Sequence, residues 1–545
     1  MKVSGRRRVL KWIAGVGLAA AGGMVLVSRR RDEVVPVDTA DSGSGPVQFK
    51  EIGIAPRPVG INPLRIPELL EGTLSGDQAA PVREFSLQVQ NGTTRFLPGM
   101  DTPTIGVNGN YLGPTLRLRS GENVVIHVNN AMNEDTTVHW HGLHVPAKQD
   151  GGPHQLIPQG ETWRSAFSVN QKASTCWYHS HIPHRTGSQV YRGLAGMLLV
   201  EDDESQVLGL PSQYGVDDIP LILQDRSFDE SGALVYPTDV STLMRGVRGD
   251  TLVLNGTVAP YFDATTEKIR FRILNAANAR TFTIACGDGR SFHMIASDNA
   301  FLELPLELTH ITLAPGERAE IVITVSAGES LHLVNLPVPS APLLYNGQMN
   351  GMMRNLDKDG FDVLLIRAAA TLTASATLPA LLTQIVRLRE EDATVTRHFE
   401  LGMGNGTGAG GGREGGGAGG GGNGGGNGGG YGGGTFKLNG LMMNMSRIDF
   451  EVQEGATEIW ELVNASPMIH PFHVHKVHFQ ILDRNGVPPG PEEQGFKDVV
   501  RVHVSETVRI IARFDDFPDP ETPYMYHCHI LEHEDHGMMG QFVVV

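Results

Sequence analysis

Four His-x-His pairs constrain this chain more than any other feature of its sequence. Two occur in "VHWHG" and "WYHSH", and two occur in "FHVHK" and "MYHCH". In a β-strand, residues i and i+2 point to the same face, so each pair presents two imidazoles side by side. Eight imidazoles are too many for one four-coordinate metal site, and they suit a cluster of copper ions. The eight residues are His139, His141, His179, His181, His473, His475, His527 and His529.

These pairs occupy matching places in an internal repeat. Three strand ends share an Asn-Ala dipeptide, with the alanines at Ala131, Ala276 and Ala465. Eight and ten residues later the first and third copies carry a His-x-His pair, whereas the second copy carries Ile284 and Cys286. The repeat therefore predicts three related domains, with the cluster held between the first and the third.

The segments around the repeat read as short strands. Runs such as "REFSLQV", "KIRFRILNA" and "TEIWELVNA" alternate apolar and polar residues between Gly/Pro turns, which predicts an all-β protein. We expect domains at residues 81–205, 206–375 and 385–545. The formal net charge of −16 argues against a nucleic-acid partner.

The N-terminus has the pattern of a targeting segment. "GRRRVLK" precedes an apolar run, which resembles a twin-arginine export signal over residues 1–31, with Arg6 and Arg7 as the pair. An ordinary secretory signal and an uncleaved membrane anchor are the alternatives. Residues 32–80 are expected to be a tether, and the protein is expected in the periplasm or another extracytoplasmic compartment.

A second metal site is indicated by "HCHILEHEDHGMM", together with a histidine that the first copy lacks. Cys528 lies between two cluster histidines, so its thiolate faces away from them, and His533 and Met538 follow at +5 and +10. With His470, these residues form the two-histidine, one-cysteine, weak-methionine set of a blue-copper electron-transfer site. An electron that enters there would leave through Cys528 into its two neighbours.

Taken together, these motifs resemble the multicopper oxidases: laccases, bilirubin oxidases and the bacterial copper-efflux (cuprous) oxidase. "HWHGLHVP", "DGGP", "GLAGM", "HPFHVH" and "GFKD" add to the likeness, which is greatest to the copper-efflux oxidase. The resemblance implies three cupredoxin-like Greek-key domains and four copper ions. It also implies one-electron oxidation of a donor coupled to four-electron reduction of O2 to water.

The resemblance assigns the ligands residue by residue. It implies a type 1 site of His470, Cys528, His533 and Met538; a type 2 site of His139 and His473; and type 3 sites of His141, His179 and His529, and of His181, His475 and His527. Asp150 and Glu534 match the family's proton donors for O–O cleavage. A brace on a ligand imidazole is the alternative role for either acid. Asp498 is expected to support the type 1 region.

A glycine-rich insertion at residues 402–434 interrupts the third repeat. The copper-efflux oxidase carries a methionine-rich insert there, and of its substrate Cu(I) site only Met403 and Met468 persist, with Gly408 and Ser466 at the acidic positions. We expect a flap that leaves the type 1 histidines open to bulky phenolic or aromatic-amine donors, with some Cu(I) oxidation. A dedicated cuprous oxidase is the alternative.

Two further classes are weighed. A copper-binding or storage protein would need no cysteine flanked by cluster ligands, and a copper nitrite reductase needs only three histidines at its second copper. The expected partners are O2 and the electron donor, with no nucleic acid, with membrane contact only through an uncleaved anchor, and with the chain as a monomer.

Overall fold

Strands make up about half of the residues that the structure describes, and helices only a small fraction: 49% against 7%. The computed structural model describes residues 59–76, 81–337, 356–403 and 436–545. The predicted all-β class is confirmed. The expected signal, most of the tether and nearly all of the glycine-rich insertion lie outside the described residues. Within the described part, no helix is long and apolar enough to cross a membrane.

The elements follow one another in chain order. Up to residue 205 the strands are β1 (Asn62–Pro63), β2 (Leu69–Leu70), β3 (Thr73–Ser75), β4 (Val82–Thr94), β5 (Thr102–Val107), β6 (Thr115–Arg119), β7 (Asn123–Asn130), β8 (His139–His141), β9 (Thr162–Ser168), β10 (Ser174–His179) and β11 (Ala195–Glu201). The next are β12 (Asp218–Arg226), β13 (Thr251–Leu254), β14 (Pro260–Thr266), β15 (Lys268–Asn275), β16 (Phe282–Cys286), β17 (Phe292–Ala296), β18 (Phe301–Leu308), β19 (His310–Leu313), β20 (Arg318–Thr324), β21 (Ser330–Asn335) and β22 (Phe361–Thr373). The last are β23 (Ala393–Met403), β24 (Phe436–Leu438), β25 (Phe450–Val452), β26 (Thr457–Asn464), β27 (His470–Val474), β28 (Gln480–Arg484), β29 (Val499–Val502), β30 (Thr507–Arg513), β31 (Asp519–Cys528) and β32 (Met539–Val544). The helices are α1 (Thr186–Arg192), α2 (Asp203–Val207), α3 (Val240–Arg245) and α4 (Leu531–Asp535).

These strands form three pairs of sheets. The first pair has the orders β3-β4-β7-β9, with β5 on β4, and β2-β6-β11-β10-β8. The second has β13-β12-β15-β20-β17-β18 and β1-β14-β22-β21-β16-β19. The third has β24-β23-β26-β30-β28 and β25-β32-β31-β27-β29. Non-consecutive neighbours, such as β4 beside β7, are what Greek-key connections produce.

Alternating burial along the strands creates a separate core for each pair of sheets. In β4, Phe85, Leu87 and Val89 are buried, and the residues between them are exposed. The second core includes Phe271 and Ile321, and the third includes Trp460. This period of two is the expected pattern for a sheet with one face on a core. The domain boundaries proposed from the sequence stay predictions.

The Asn-Ala repeat has a structural explanation in the asparagine. The side-chain oxygen of Asn130 accepts a hydrogen bond from the backbone N–H two residues later, at 3.0 Å, and its amide donates to two carbonyls at 2.9 Å each. Asn275 and Asn464 form the same three kinds of hydrogen bond. Each copy therefore uses one buried amide to fix the turn that follows its strand.

Residues 59–76 differ from the expected tether. β1 pairs in parallel with β14 of the second pair of sheets, whereas β2 and β3 pair with β6 and β4 of the first. The segment can do this because it is extended, so its backbone hydrogen-bonding groups fill open sheet edges. The chain thus adds strands to two different sheet pairs before the first full-length strand begins.

Candidate copper centre

Strand pairing brings the histidines of each His-x-His motif together. β8 and β10 are antiparallel neighbours with His139 directly opposite His179, and β27 and β31 are neighbours with His473 directly opposite His527. Directly opposed residues in antiparallel strands have Cβ atoms about 4.5–5.5 Å apart. The register alone therefore places two imidazoles from each outer copy within reach of one metal ion.

The first and third copies then face each other. The rings of His141 and His473 stack with centroids 3.8 Å apart and planes 9° apart, and those of His139 and His475 stack at 3.9 Å and 21°. The rings of His181 and His527 also meet, at 4.9 Å. The structure thus gathers the eight histidines between the first and third sheet pairs, and all eight are buried.

Several imidazoles are held by one nitrogen and leave the other without a partner. The Nδ1 atoms of His139, His473 and His179 lie 2.9, 2.8 and 2.7 Å from backbone carbonyls, to which each donates its N–H. Their Nε2 atoms are buried and have no hydrogen-bond partner. Metal-binding histidines characteristically donate their second ring N–H in this way, which fixes the tautomer and aims the lone pair.

Other ring nitrogens converge on one another. The Nε2 atom of His527 lies 3.2 Å from that of His181 and 3.3 Å from that of His475. The Nε2 atom of His529 lies 3.3 Å from the Nδ1 atom of His141. Burial lowers the pKa of each of these five imidazoles below its usual range, so they are neutral with lone pairs available. Converging neutral nitrogens fit copper ions, which prefer imidazole ligands.

Two carboxylates border the cluster on different sides. An Asp150 oxygen lies 2.7 Å from the Nδ1 atom of His475, and its other oxygen is buried without a partner. Burial opposes ionisation of Asp150, but the adjacent His139 and His475 outweigh it and lower the pKa. The Glu534 oxygens lie 3.2 Å from Nδ1 of His181 and of His527, and burial followed by the Asp535 charge raises the pKa of Glu534.

Asp498 links the cluster to the middle sheet pair, a role that the sequence did not reveal. It accepts from Nε2 of His141 at 3.0 Å, and its backbone carbonyl holds Nδ1 of His473. Arg318, at the start of β20, donates to both Asp498 oxygens at 2.6 and 2.7 Å, and Asn299 donates to one at 2.7 Å. Burial opposes the Asp498 charge, but Arg318 outweighs it and lowers the pKa. The middle copy therefore lacks His-x-His pairs, yet it positions cluster histidines of both other copies.

The second predicted site lies on the opposite face of β31. The Sγ atom of Cys528 lies 3.3 Å from Nδ1 of His470 and 3.6 Å from Nδ1 of His533, and the three residues are fully buried. The loop from Cys528 to Met538 closes on itself, because the Cys528 N–H donates to the Met538 carbonyl at 3.0 Å. Met538 is also fully buried. The structure therefore brings His470, Cys528 and His533 together, as predicted.

The type 1 histidines are less open than the sequence suggested. Nε2 of His470 lies 2.6 Å from the Ser466 hydroxyl, and Nε2 of His533 lies 3.2 Å from the Met244 carbonyl in α3. The Phe436 ring stacks on His533 at 4.3 Å. Both imidazoles are 0% exposed, so the two histidines themselves are not open to bulky donors as expected. The cover is formed by residues of α3, β24 and the loop before β27, which only the packing of the chain brings over these two histidines.

The two remaining predicted methionines border this cover. Met403 pairs with Phe436 across β23 and β24, and it is half-buried against the third core. The Met468 carbonyl accepts from the Ser466 hydroxyl at 3.1 Å, and the Met468 side chain is almost fully buried. Met403 therefore adjoins Phe436, which contacts His533, and Met468 adjoins Ser466, which contacts His470.

Helix α4 is fastened to the middle sheet pair by an acid that sequence reasoning missed. The Glu532 carboxylate accepts from Asn278 at 2.7 Å, from the Val247 N–H at 2.9 Å and from the Tyr236 hydroxyl at 2.9 Å. One residue further on, His533 is thereby fixed. The only sequence signal was the position of Glu532 among ligands in "HILEHED".

Replacement of Asp498 by asparagine is expected to weaken copper binding. The amide cannot accept two charge-assisted hydrogen bonds from Arg318, so His141 loses its orientation, and we expect copper affinity to fall about 10–100-fold. Competition with a chelator measures this affinity. The matched control is Asp225→Asn, which breaks a buried pair with Arg280 away from the histidines. Equal losses in both variants would contradict a role for Asp498 in holding the ligands.

Comparisons with known proteins agree with this geometry. Family models described as multicopper oxidase match residues 88–205 and 427–545. The multicopper oxidase mco of Staphylococcus aureus is 35% identical over 466 residues, which cover 85% of this chain and 88% of the relative. The cell division protein FtsP of Sodalis glossinidius is 34% identical over 489 residues, which cover 88% and 92%.

Solved structures give the same result. A laccase from Pediococcus acidilactici has a TM-score of 0.76 at 31% identity and covers 90% of this chain and 95% of its own. The laccase-like multicopper oxidase CueO from Ochrobactrum sp. has a TM-score of 0.74 at 34% identity and covers 89% and 100%. The chain therefore belongs to the multicopper oxidase family, as a copper-dependent oxidoreductase with cupredoxin-like domains.

Proposed function

We propose that this protein removes single electrons from phenolic or aromatic-amine donors and from Cu(I), and uses four of them to reduce O2 to water. The observation that carries the proposal is the position of Cys528. Its sulfur meets His470 and His533 on one face of β31, and the residues on either side of it, His527 and His529, join the histidine cluster on the other. One strand thus connects an electron-entry site to a site for O2.

Within this proposal the ligands have the roles that the family resemblance implies. Four copper ions, when bound, supply one-electron oxidation at the type 1 site and O2 reduction at the cluster. The type 1 ligands are His470, Cys528, His533 and Met538; the type 2 ligands are His139 and His473; and the type 3 ligands are His141, His179 and His529 for one ion and His181, His475 and His527 for the other. The orphaned Nε2 atoms support the type 2 pair in particular.

Cys528 provides the electron path by its place in the backbone. One peptide bond joins Cys528 to His527 and one joins it to His529, and the alternation of the extended backbone keeps the sulfur and the imidazoles on opposite faces. A storage protein has no need for such a connection. The eight-histidine cluster likewise exceeds the three-histidine copper of a nitrite reductase.

Glu534 and Asp150 are proposed to supply protons to reduced oxygen. The Glu534 oxygens lie 3.2 Å from the imidazoles of two proposed ligands, His181 and His527. Burial raises the pKa of Glu534, so its carboxyl group can carry a proton beside the cluster. Asp150 braces His475 by one oxygen, and its other oxygen is buried without a hydrogen-bond partner, so we propose that it receives and passes on a proton during turnover. The two acids thus approach the cluster from different ligands.

The buried type 1 histidines constrain how donors deliver electrons. A donor cannot touch either imidazole directly, so electrons must cross a thin layer that includes Ser466, Met244 and Phe436. Small aromatic donors suit such contact, and the Ochrobactrum protein is described as an oxidase of lignin model compounds. Cu(I) is the second proposed donor, because Met403 and Met468 are soft residues whose backbones adjoin Phe436 and Ser466 of that layer.

Export and oligomeric state complete the proposal. The twin-arginine-like segment supports an extracytoplasmic location, cleaved or anchored, and the enzyme is expected to act as a monomer. Relatives named as cell division proteins do not alter the assignment, because this chain keeps every ligand that the oxidase chemistry needs.

Substitution of Cys528 by serine tests the central observation. We expect the intense blue absorption to vanish and copper content to fall by one ion of four, because the thiolate is the essential type 1 ligand. Oxygen uptake with a phenol should drop to background while the cluster copper stays bound. Cys286→Ser, which changes a buried cysteine in the core of the middle sheet pair, is the control. Retained oxygen uptake in Cys528→Ser would disprove the electron path.

Substitution of Glu534 by glutamine separates proton supply from electron entry. We expect turnover with O2 to fall roughly 100-fold or more, since a positioned general acid contributes about that much. Anaerobic bleaching of the blue absorption by a phenol should remain near the wild-type rate. Glu458→Gln is the control, because that buried carboxylate pairs with Arg397 and Trp460 and contacts no histidine of either site. Slowed bleaching in Glu534→Gln would contradict the proton role.

The double variant Met403→Leu/Met468→Leu distinguishes the two donor classes. Leucine keeps the apolar volume but removes the soft sulfur atoms, so we expect kcat/KM for Cu(I) to fall at least about tenfold while that for a phenol changes less than about threefold. Steady-state oxygen uptake measures both. A parallel loss for the two donors would show that these methionines act through packing alone.

A further inference from the structure

A cavity of about 220 Å³ lies beside the histidine cluster, on the side of Glu534 and His181. Four methionines line it, three from the segment after β24 and one at the start of β32, and two histidines outside the ligand set line it as well. These six residues, which we name the thioether pocket, are Met442, Met443, Met445, Met539, His184 and His536. None of them belongs to the copper centre described above.

We propose that the thioether pocket is a separate binding site for Cu(I). Methionine sulfur and imidazole nitrogen are the soft and borderline ligands that monovalent copper prefers. The pocket opens to the surface through Met442, which is 40% exposed, and His184, and its inner wall includes the proposed ligand His181. A Cu(I) ion from solvent would therefore reach a soft site immediately outside the cluster.

The two histidines are held as metal ligands usually are. Nδ1 of His184 lies 2.8 Å from the Asp535 carbonyl, and Nδ1 of His536 lies 2.7 Å from the Glu532 carbonyl. Each therefore donates its Nδ1–H to the backbone and keeps the lone pair on Nε2. His184 also adopts a φ of +64°, which is uncommon for a residue with a side chain and holds the ring at the pocket.

Backbone hydrogen bonds hold the methionine segment in place beside the pocket. The Met443 N–H donates to the Gly537 carbonyl at 3.0 Å, and the Met445 carbonyl accepts from Gln541 at 3.1 Å. Met442 packs on Gly537, where an added Cβ would lie 3.0 Å from its terminal methyl carbon. Glycine at this point, with a φ of +103°, lets the methionine segment approach the end of α4.

Other occupants fit the pocket less well. Its volume is below the range of about 300–1,000 Å³ typical of pockets for organic ligands. Hard divalent cations prefer carboxylates, but both Asp535 oxygens already accept backbone N–H groups at 2.9 Å, and Glu534 faces the ligand imidazoles. The atoms left to meet an ion are four thioether sulfurs and two imidazole nitrogens.

Silver(I) binding to the copper-loaded enzyme tests this proposal. Silver(I) mimics Cu(I) without redox chemistry, and filled copper sites cannot take it up. Calorimetric titration should show one more bound ion in the wild type than in Met442→Leu/Met443→Leu/Met445→Leu, and X-ray absorption at the silver edge should show fewer sulfur neighbours in the triple variant. Met100→Leu, a partly buried methionine elsewhere, is the control and should match the wild type.

Two further variants keep the test decisive. His184→Asn tolerates the positive φ and should weaken silver binding even if the triple variant folds poorly. Met403→Leu/Met468→Leu should leave this ion bound, which separates the pocket from the proposed donor site. Unchanged silver binding in both the triple variant and His184→Asn overturns the proposal. The blue absorption stays intact in every case, so this outcome is independent of the oxidase assignment.

Discussion

The structure depends on burying eight imidazoles between two sheet pairs, with several of their ring nitrogens converging on one another. Burial alone would make unpartnered ring nitrogens costly, since a buried polar group without a hydrogen bond is destabilising. The fold limits this cost by giving several imidazoles a carbonyl or carboxylate on the opposite nitrogen. The remaining nitrogens are satisfied only when metal binds, so copper binding and the stability of this interface are coupled.

The middle sheet pair explains how two distant histidine strands keep their alignment. Arg318 is buried among Asp498, Asn299 and the Thr175 carbonyl, and it thereby ties all three repeats together at one point. Gly316, two residues earlier, is equally constrained, because an added Cβ would lie 2.8 Å from the His529 ring. The repeat without a His-x-His pair thus positions the cluster histidines of its neighbours.

Both candidate copper sites draw residues from one short segment. Between Cys528 and Met538 the chain supplies proposed ligands of both sites, the proposed proton donor Glu534 and the anchor Glu532. The segment also forms one wall of the thioether pocket. One segment can serve several sites because successive side chains of β31 point to opposite faces of the sheet, and those of α4 point in several directions around the helix.

The sequence by itself determined the all-β class, the threefold repeat and the identity of the clustered histidines, because period-two alternation and His-x-His spacing are local properties of a strand. It could not reveal Arg318, the cover over His470 and His533, or the gathering of Met442, Met443 and Met445 with His184. Those contacts join residues far apart in the chain, and only the packing of sheets and loops against one another brings them together. The extended pairing of residues 59–76 has the same origin, since open sheet edges exist only once the domains have formed.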